Sequence, residues 1–180
     1  MDNQEIDKKE GEQSQESSQD SLDISKLKID SSQINSDESQ FVVFNVGDEK
    51  FSLDIDDVLE ITHLKDITRV PNSETYINGV INLRGRIHVV ISLARKLHLI
   101  EKEKTEDSRI IIIESDEERL GMVVDIVDQV LKVKKKDIQG VPEIINGNVE
   151  KKYLKGVIPF NDEILMILDT SKIIISEKSE

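Results

Sequence analysis

An arginine set in a glycine turn between two apolar runs is the residue best placed to engage another molecule. Gly79 to Leu93 reads GVINLRGRIHVVISL, and the apolar run breaks at Asn82, Leu83, Arg84 and Gly85 before it resumes. A guanidinium whose stem is fixed by a turn presents its N–H donors as a planar fork, which suits a carboxylate or carbonyl on a partner. The same pattern also describes an ordinary hairpin whose arginine is merely solvated. No catalytic trio accompanies it.

Carboxylates are the next candidates. Asp56 with Asp57, and Asp125 with Asp128, stand close enough in sequence for acid–base work, although nothing in the sequence puts either pair in one pocket. Asp125 interrupts an apolar run, where a buried carboxylate needs several hydrogen bonds, so it is expected to mark a strand bend or order a backbone turn. His63, His88 and His98 fall in three different elements without metal-ligand spacing, and each reads as a partly exposed strand or helix residue. No Lys-Ser or Lys-Thr follows Gly85, so a phosphate-binding loop is absent, and no dinucleotide fingerprint occurs. With no cysteine there is no disulfide framework, thiolate metal site or thiol nucleophile. The expectation is a binding module, not an enzyme, with no cofactor and no metal.

The charge distribution narrows the partners. The chain has 180 residues and a net charge of −13; residues 1 to 40 hold 11 acidic and 4 basic side chains, and residues 41 to 180 hold 26 and 20. An acidic, aromatic-poor protein lacks the footprint needed to hold phosphate backbones or an anionic bilayer surface, so neither nucleic acid nor direct membrane insertion is expected. MDNQEIDKKE lacks the basic-then-apolar order of a signal peptide, and no apolar run approaches the ~18 residues of a membrane span. A cytoplasmic protein is expected.

These residues must be positioned by short strands. Residues 1–39, rich in Ser, Gln, Asp, Glu and Lys, read as a disordered acidic tail in which Leu22, Ile24, Leu27 and Ile29 form a small apolar cluster, read first as isolated and otherwise as docking in a short strand or helical turn. From Phe41 to Leu53 a hairpin turns at Gly47 and Asp48; Val58 to His63 is a third strand, and a loop with Pro71 and Asn72 leads to Tyr76 and the Arg84 turn. Ser92 is placed to cap a helical turn ending at Leu97. Arg109 to Glu114 contains four consecutive isoleucines and reads as a buried strand, followed by strands at Leu120 to Val124 and Ile126 to Val133. The basic run Lys134 to Lys136 reads as a solvated face. Residues 137 to 152 read as an exposed loop, Tyr153 to Leu168 as a last hairpin around Asn161 and Asp162, and Thr170 to Ser176 as a terminal helix. About ten short strands with regular turns argue for barrels or a sandwich.

Four segments in order, FVVFNVGDEKFSLDIDDVLEI, RVPNSETYINGVINLRGRIHVVISL, RLGMVVDIVDQV and YLKGVIPFNDEILMILDTSKII, resemble the CheW family of chemotaxis coupling proteins. The resemblance implies an all-β domain over residues 40–176, built as two intertwined five-stranded SH3-like barrels around a shared core, with short helical connectors and a C-terminal helix. It implies an adaptor, without catalysis of its own, that joins methyl-accepting chemoreceptors to the regulatory domain of the histidine kinase CheA. The matching receptor positions are Glu60, Gly79, Arg84, Gly85, Ile110, Gly121 and Val127, lining a groove that accepts a helical hairpin tip, with Glu60 and Arg84 supplying orientation. Arg84 is read equally as a structural brace held by a carboxylate. Val42, Ile55 and Val58 are expected at exposed or edge positions available to the kinase. The family commonly has Asp where this chain has Ser92, and the long acidic tail is a further departure.

Two other readings stay open at this point. One is a stand-alone regulatory domain that senses a small ligand in the groove. The other is an acid–base enzyme using Asp125 with Asp128 or Glu60, which requires those carboxylates to converge.

Overall fold

The computed structural model describes residues 37–143 and 149–174, together with the backbone of residues 21–22. In chain order the strands are β1 (Ser21–Leu22), β2 (Glu38–Val46), β3 (Glu49–Asp54), β4 (Val58–His63), β5 (Ile77–Leu83), β6 (Arg86–Ser92), β7 (Arg109–Ser115), β8 (Glu118–Val124), β9 (Ile126–Lys134), β10 (Leu154–Phe160) and β11 (Glu163–Leu168). Two short helices follow the two parallel-paired strands β6 and β11: α1 (Leu93–Lys96) and α2 (Thr170–Ile174). The Ser92 hydroxyl accepts from the Arg95 N–H at 3.3 Å and caps α1 as expected.

The strands form two sheets, ordered β4-β7-β8-β6-β5 and β10-β11-β3-β2-β9, the first extended by β1 beside β4. Each sheet is completed by a hairpin from the other half of the chain. The β7–β8 hairpin sits among β4, β5 and β6, and the β2–β3 hairpin among β9, β10 and β11. The two halves are therefore intertwined, and a repeat in the sequence marks their equivalence: Tyr76, Ile77, Gly79, Val80 and Ile81 recur at the same spacing as Tyr153, Leu154, Gly156, Val157 and Ile158.

Neither sheet is a closed barrel, which corrects the expectation. Each curls until a single residue beyond one edge strand pairs with the opposite edge, Thr68 with Val80 and Gln139 with Val157. Both bridges exchange two backbone hydrogen bonds of 2.8–2.9 Å. A glycine lies beside each bridge because the backbones nearly touch: a Cβ on Gly79 would fall 2.1 Å from the Thr68 carbonyl oxygen, and one on Gly156 would fall 2.7 Å from that of Gln139. Gly79 also has φ +143°, which side-chain-bearing residues rarely adopt. A single-residue bridge leaves no room for a continuous ladder, so closure stops there.

Packing explains the apolar runs. In β7, Ile111 and Ile113 point to a core shared between the sheets, while Ile110 and Ile112 fill a second cluster on the other face with Ile81, Val90 and Val123. In β2, Val42, Phe44 and Val46 enter the shared core, and Phe41 and Val43 join Val133, Ile158, Leu165 and Ile167 in a third cluster. Strands buried on both faces lose the polar stripe of a half-buried strand. Each such side chain contributes roughly 1.5–3 kcal/mol of burial.

This arrangement overturns the expectation for Val42, Ile55 and Val58. They are 0%, 3% and 3% exposed and belong to the shared core, so their side chains are not surface anchors. At the edge of that core the Lys96 ammonium stands 4.2 Å from the Tyr76 ring centroid and 5.8 Å from that of Tyr153, the repeat-related tyrosines of the two halves.

Most of the tail lies outside the described residues. Residues 1–20 and 23–36, including Ile24, Leu27 and Ile29, lie outside the described residues, but Ser21 and Leu22 pair with β4 as a strand. The segment 137–152 is not simply an exposed loop: Gln139 carries a sheet-closing bridge and Val149 is buried, while residues 144–148 lie outside the description. The expected helix at Thr170–Ser176 is described as far as Ile174.

Candidate functional site

The Arg84 turn projects from the β5–β6 hairpin. Arg84 has φ +50° and Gly85 φ +79°, the paired left-handed residues of a tight hairpin turn whose twist matches its strands. A Cβ at Gly85 would meet nothing within 4 Å, so this glycine serves the backbone and not packing. Arg84 has no such excuse: a non-glycine residue in this region costs about 1–3 kcal/mol, a strain that accumulates at functional positions.

Across the sheet, Arg84 Nη2 lies 3.4 Å from Glu60 Oε1. β4 and β5 are far apart in the sheet order, so the pair spans the open end of the curled sheet. The Arg84 side chain is 72% exposed and the Glu60 side chain 16%, so the pair is worth only about 0–1 kcal/mol to the fold. Glu60 Oε1 is buried and accepts no hydrogen bond among the described residues, which leaves an acceptor at the mouth.

Register places more charge at this end. Glu60 stands opposite Ile112, so it shares the face of the Ile110–Ile112 cluster; two residues along β7, Glu114 lies on that face with Arg119 opposite it on β8 and ion-paired to it. His88 stands opposite Ile81 of the same cluster and is 7% exposed. Burial chiefly, and the Arg119 charge after it, hold the His88 pKa below its ordinary 6.5, with Glu60 pulling upward and Arg86 downward. The mouth thus collects Glu60, Arg84, His88, Glu114 and Arg119 from five parts of one sheet. Ile87, next to His88 but on the opposite face of β6, is 74% exposed. His88 and Arg119 carry no local signal of this placement, since only strand register brings them to Glu60. His63 and His98 are exposed as expected, but His88 is buried, contrary to expectation.

The other receptor positions fall behind or away from this mouth. Gly79 packs on Thr68; Ile110 is fully buried; and Gly121 is buried where a Cβ would lie 3.1 Å from both Ile110 Cγ2 and Val90 Cγ2. These three shape the sheet from within and do not line a groove. Val127 belongs to β9 in the other sheet, half-buried against the shared core. Glu60, Arg84 and Gly85 are the positions brought to one surface.

The carboxylates proposed for acid–base work are occupied by the backbone and by a helix. Asp125 Oδ2 accepts from the Gly47 N–H at 2.7 Å while the Asp125 N–H donates to the Asn45 carbonyl at 3.0 Å, so Asp125 orders the β2–β3 turn as expected. Asp57 accepts from the Thr170 hydroxyl at 2.7 Å and ties α2 to the turn before β4. Asp128 lies on β9 and Glu60 on β4, in different sheets. Among the described residues no group of three or more His, Cys, Asp and Glu is placed to hold a metal ion.

Against this geometry stands a family match: a family model described as the CheW-like domain covers residues 40–178. The chain belongs to the CheW-like family. Among curated CheW-like relatives, it is 30% identical over 151 residues to the chemotaxis protein CheW of Treponema pallidum, covering 81% of this chain and 87% of that protein. It is 32% identical over 140 residues to the chemotaxis protein CheW of Helicobacter pylori, covering 78% and 84%. In structure it resembles the scaffolding protein TtCheW of Thermoanaerobacter tengcongensis, with TM-score 0.72 and 30% identity over 79% of this chain and 96% of that one. The CheW-like resemblance first carried by four sequence segments is thus shown, and the first 39 residues lie outside the family match.

Proposed function

We propose that this chain is a chemotaxis adaptor that couples methyl-accepting chemoreceptors to the histidine kinase CheA and acts by binding alone. The family membership supports the adaptor role, and the Glu60–Arg84 mouth is the observation that carries its receptor-facing part. An exposed, strained arginine and a buried carboxylate oxygen with open acceptor capacity supply orientation, and Ile87, exposed on the outer face of the same hairpin, supplies apolar area. That combination suits the tip of a helical hairpin, whose polar groups need fixed partners and whose apolar face needs a platform. Behind the mouth, Gly79 lets the backbone at Thr68 approach closely, and Gly121 leaves space that the Ile110 side chain fills, while Val127 supports the adjoining sheet.

For the kinase's regulatory domain, the surface offers Leu59, Ile126 and Ile164 as exposed apolar side chains, since Val42, Ile55 and Val58 are interior. No helix among the described residues is long and apolar enough to cross a membrane, and placement at receptor arrays follows in this reading from binding receptors. The relatives are named as chemotaxis and scaffolding proteins, which leaves the ligand-sensing alternative unsupported.

The test is capture of two partners by one chain. Immobilised protein is expected to retain a receptor signalling-tip fragment and the CheA regulatory domain at micromolar concentration, each with and without the other. Failure to retain either one rejects the adaptor.

A further inference from the structure

The internal repeat gives the Glu60–Arg84 mouth a counterpart in the other sheet. At the spacing that carries Tyr76 onto Tyr153 and Gly79 onto Gly156, Arg84, Gly85 and Arg86 fall on Asn161, Asp162 and Glu163. Both turns hold the same backbone: Asn161 has φ +49° and Asp162 φ +63°, where Arg84 and Gly85 have +50° and +79°. Glu114 opposite Arg119 on β7 and β8 is matched by Asn45 opposite Lys50 on β2 and β3. Charge is what the repeat does not keep. The hairpin that carries Arg84 and Arg86 in one sheet carries Asp162 and Glu163 in the other.

This second site is a cavity of about 570 Å³ between the β2–β3 and β10–β11 turns. The parallel strands β3 and β11 pair only at Phe51–Met166 and Ser52–Ile167, so ahead of those residues Glu49 and Lys50 face Glu163 and Ile164 across an open wedge, with the buried Met166 at its base. Lys50 Nζ stands 2.7 Å from Glu163 Oε2, and Lys102 Nζ 2.8 Å from Asp48 Oδ1, so both lysines of the wall are already neutralised. Among the described residues Glu49 and Asp162 have no ion-pair partner, and Asn45 Oδ1 is buried without a hydrogen bond. Two negative charges and a buried acceptor are thus left over, inside a concave wall that concentrates their field. Ile164, 57% exposed, and Pro142 add apolar surface beside them.

We propose that this cleft is a binding site for an arginine side chain presented by a partner protein. A guanidinium brings a positive charge and a fork of donors to the Glu49 and Asp162 carboxylates and the Asn45 oxygen, and its apolar stem suits the Ile164 and Pro142 surface. The two repeat-related sites then select partners of opposite character, one offering arginines and the other taking one. Since the carboxylates lie at or near the surface, the attraction weakens as salt rises. No residue of the Glu60–Arg84 mouth takes part, so the site stands apart from the receptor reading.

The experiment follows the backbone amide NMR shifts of the full chain during titration with the capped tripeptide acetyl-Gly-Arg-Gly-amide, with its citrulline form of the same shape and no charge, and with free L-arginine. The arginine tripeptide is expected to shift Gly47, Lys50, Glu163 and Ile164, to saturate at about 1–10 mM, and to bind about tenfold more tightly than the citrulline form. Glu49→Gln with Asp162→Asn removes both unpaired charges without changing shape and is expected to weaken binding about fivefold or more. Glu118→Gln, at the position in β8 that matches Glu49, is expected to leave it unchanged. Lys102→Gln frees Asp48 and is expected to tighten binding about two- to threefold, a gain that misfolding cannot mimic. Equal binding of the citrulline form, no loss in the double variant, an equal loss in Glu118→Gln, or no gain in Lys102→Gln overturns the site. Tighter binding of free L-arginine than of the capped tripeptide overturns the protein partner in favour of a small molecule.

Discussion

Arg84 Nη2 and Glu60 Oε1 stand 3.4 Å apart across the open end of one sheet, joining a hairpin tip to a strand distant in the sheet order. The pair unites the two readings of Arg84. As a brace it is weak, because the guanidinium is largely in water. As a contact it is pre-aimed, because the turn backbone and Glu60 limit where the guanidinium can go.

Arg84→Asn separates the two roles. Asparagine suits the left-handed position better than arginine and restores the favoured Asn-Gly turn, so stability is expected to hold or rise by up to about 1 kcal/mol. Affinity for a receptor tip is expected to fall at least tenfold, about 1.4 kcal/mol or more. Thermal melting and titration on the same sample check both parts.

The glycines rank themselves. Gly79→Ala meets both a carbonyl oxygen and an unfavourable φ, and is expected to cost more than about 3 kcal/mol. Gly156→Ala meets the carbonyl at 2.7 Å without a left-handed φ and costs less. Gly85→Ala has open space and only backbone strain, about 1 kcal/mol. Denaturant midpoints measured on the three proteins give the order.

Asp125→Ala leaves the buried Gly47 N–H without its acceptor and is expected to destabilise by about 1–3 kcal/mol. At roughly 2–4 °C per kcal/mol the loss is readable as a lower Tm, with receptor affinity unchanged at a temperature where the protein is folded. Asp125→Asn keeps an acceptor oxygen and recovers most of it.

The buried His88 ties stability to pH. Its folded pKa lies below 6.5, so the unfolded chain takes up a proton more readily as pH falls. The stability it contributes is present above 6.5 and is lost as pH drops from there toward the folded value. His88→Gln is expected to flatten that part of a Tm profile between pH 7.5 and 5.

Much of the fold could be read from side-chain pattern. The isoleucine run of β7, the turn at Gly47 and the Ser92 cap each follow from local propensity, and the structure keeps them. Partner strands are another matter. A two-residue period says which residues share a face but not which strand lies alongside, so the exchange of hairpins between the halves had no local signal. Val42 is a related case, because β2 is buried on both faces and carries no polar stripe to mark the outside. At the site, Arg84 announced itself through the glycine turn and Glu60 came with the family resemblance. His88 and Arg119 join them only through register, and β1 is shorter than any periodic pattern can reveal.

Receptor-controlled autophosphorylation of CheA, reconstituted with receptor membranes and this chain or its Arg84→Asn form, tests the central claim most directly. The natural chain is expected to raise kinase activity and place it under attractant control without itself being phosphorylated. The Arg84→Asn protein, equally stable and still able to bind the kinase domain, is expected to lose most of that gain. Full activation by Arg84→Asn, or none by the natural chain, would contradict the account.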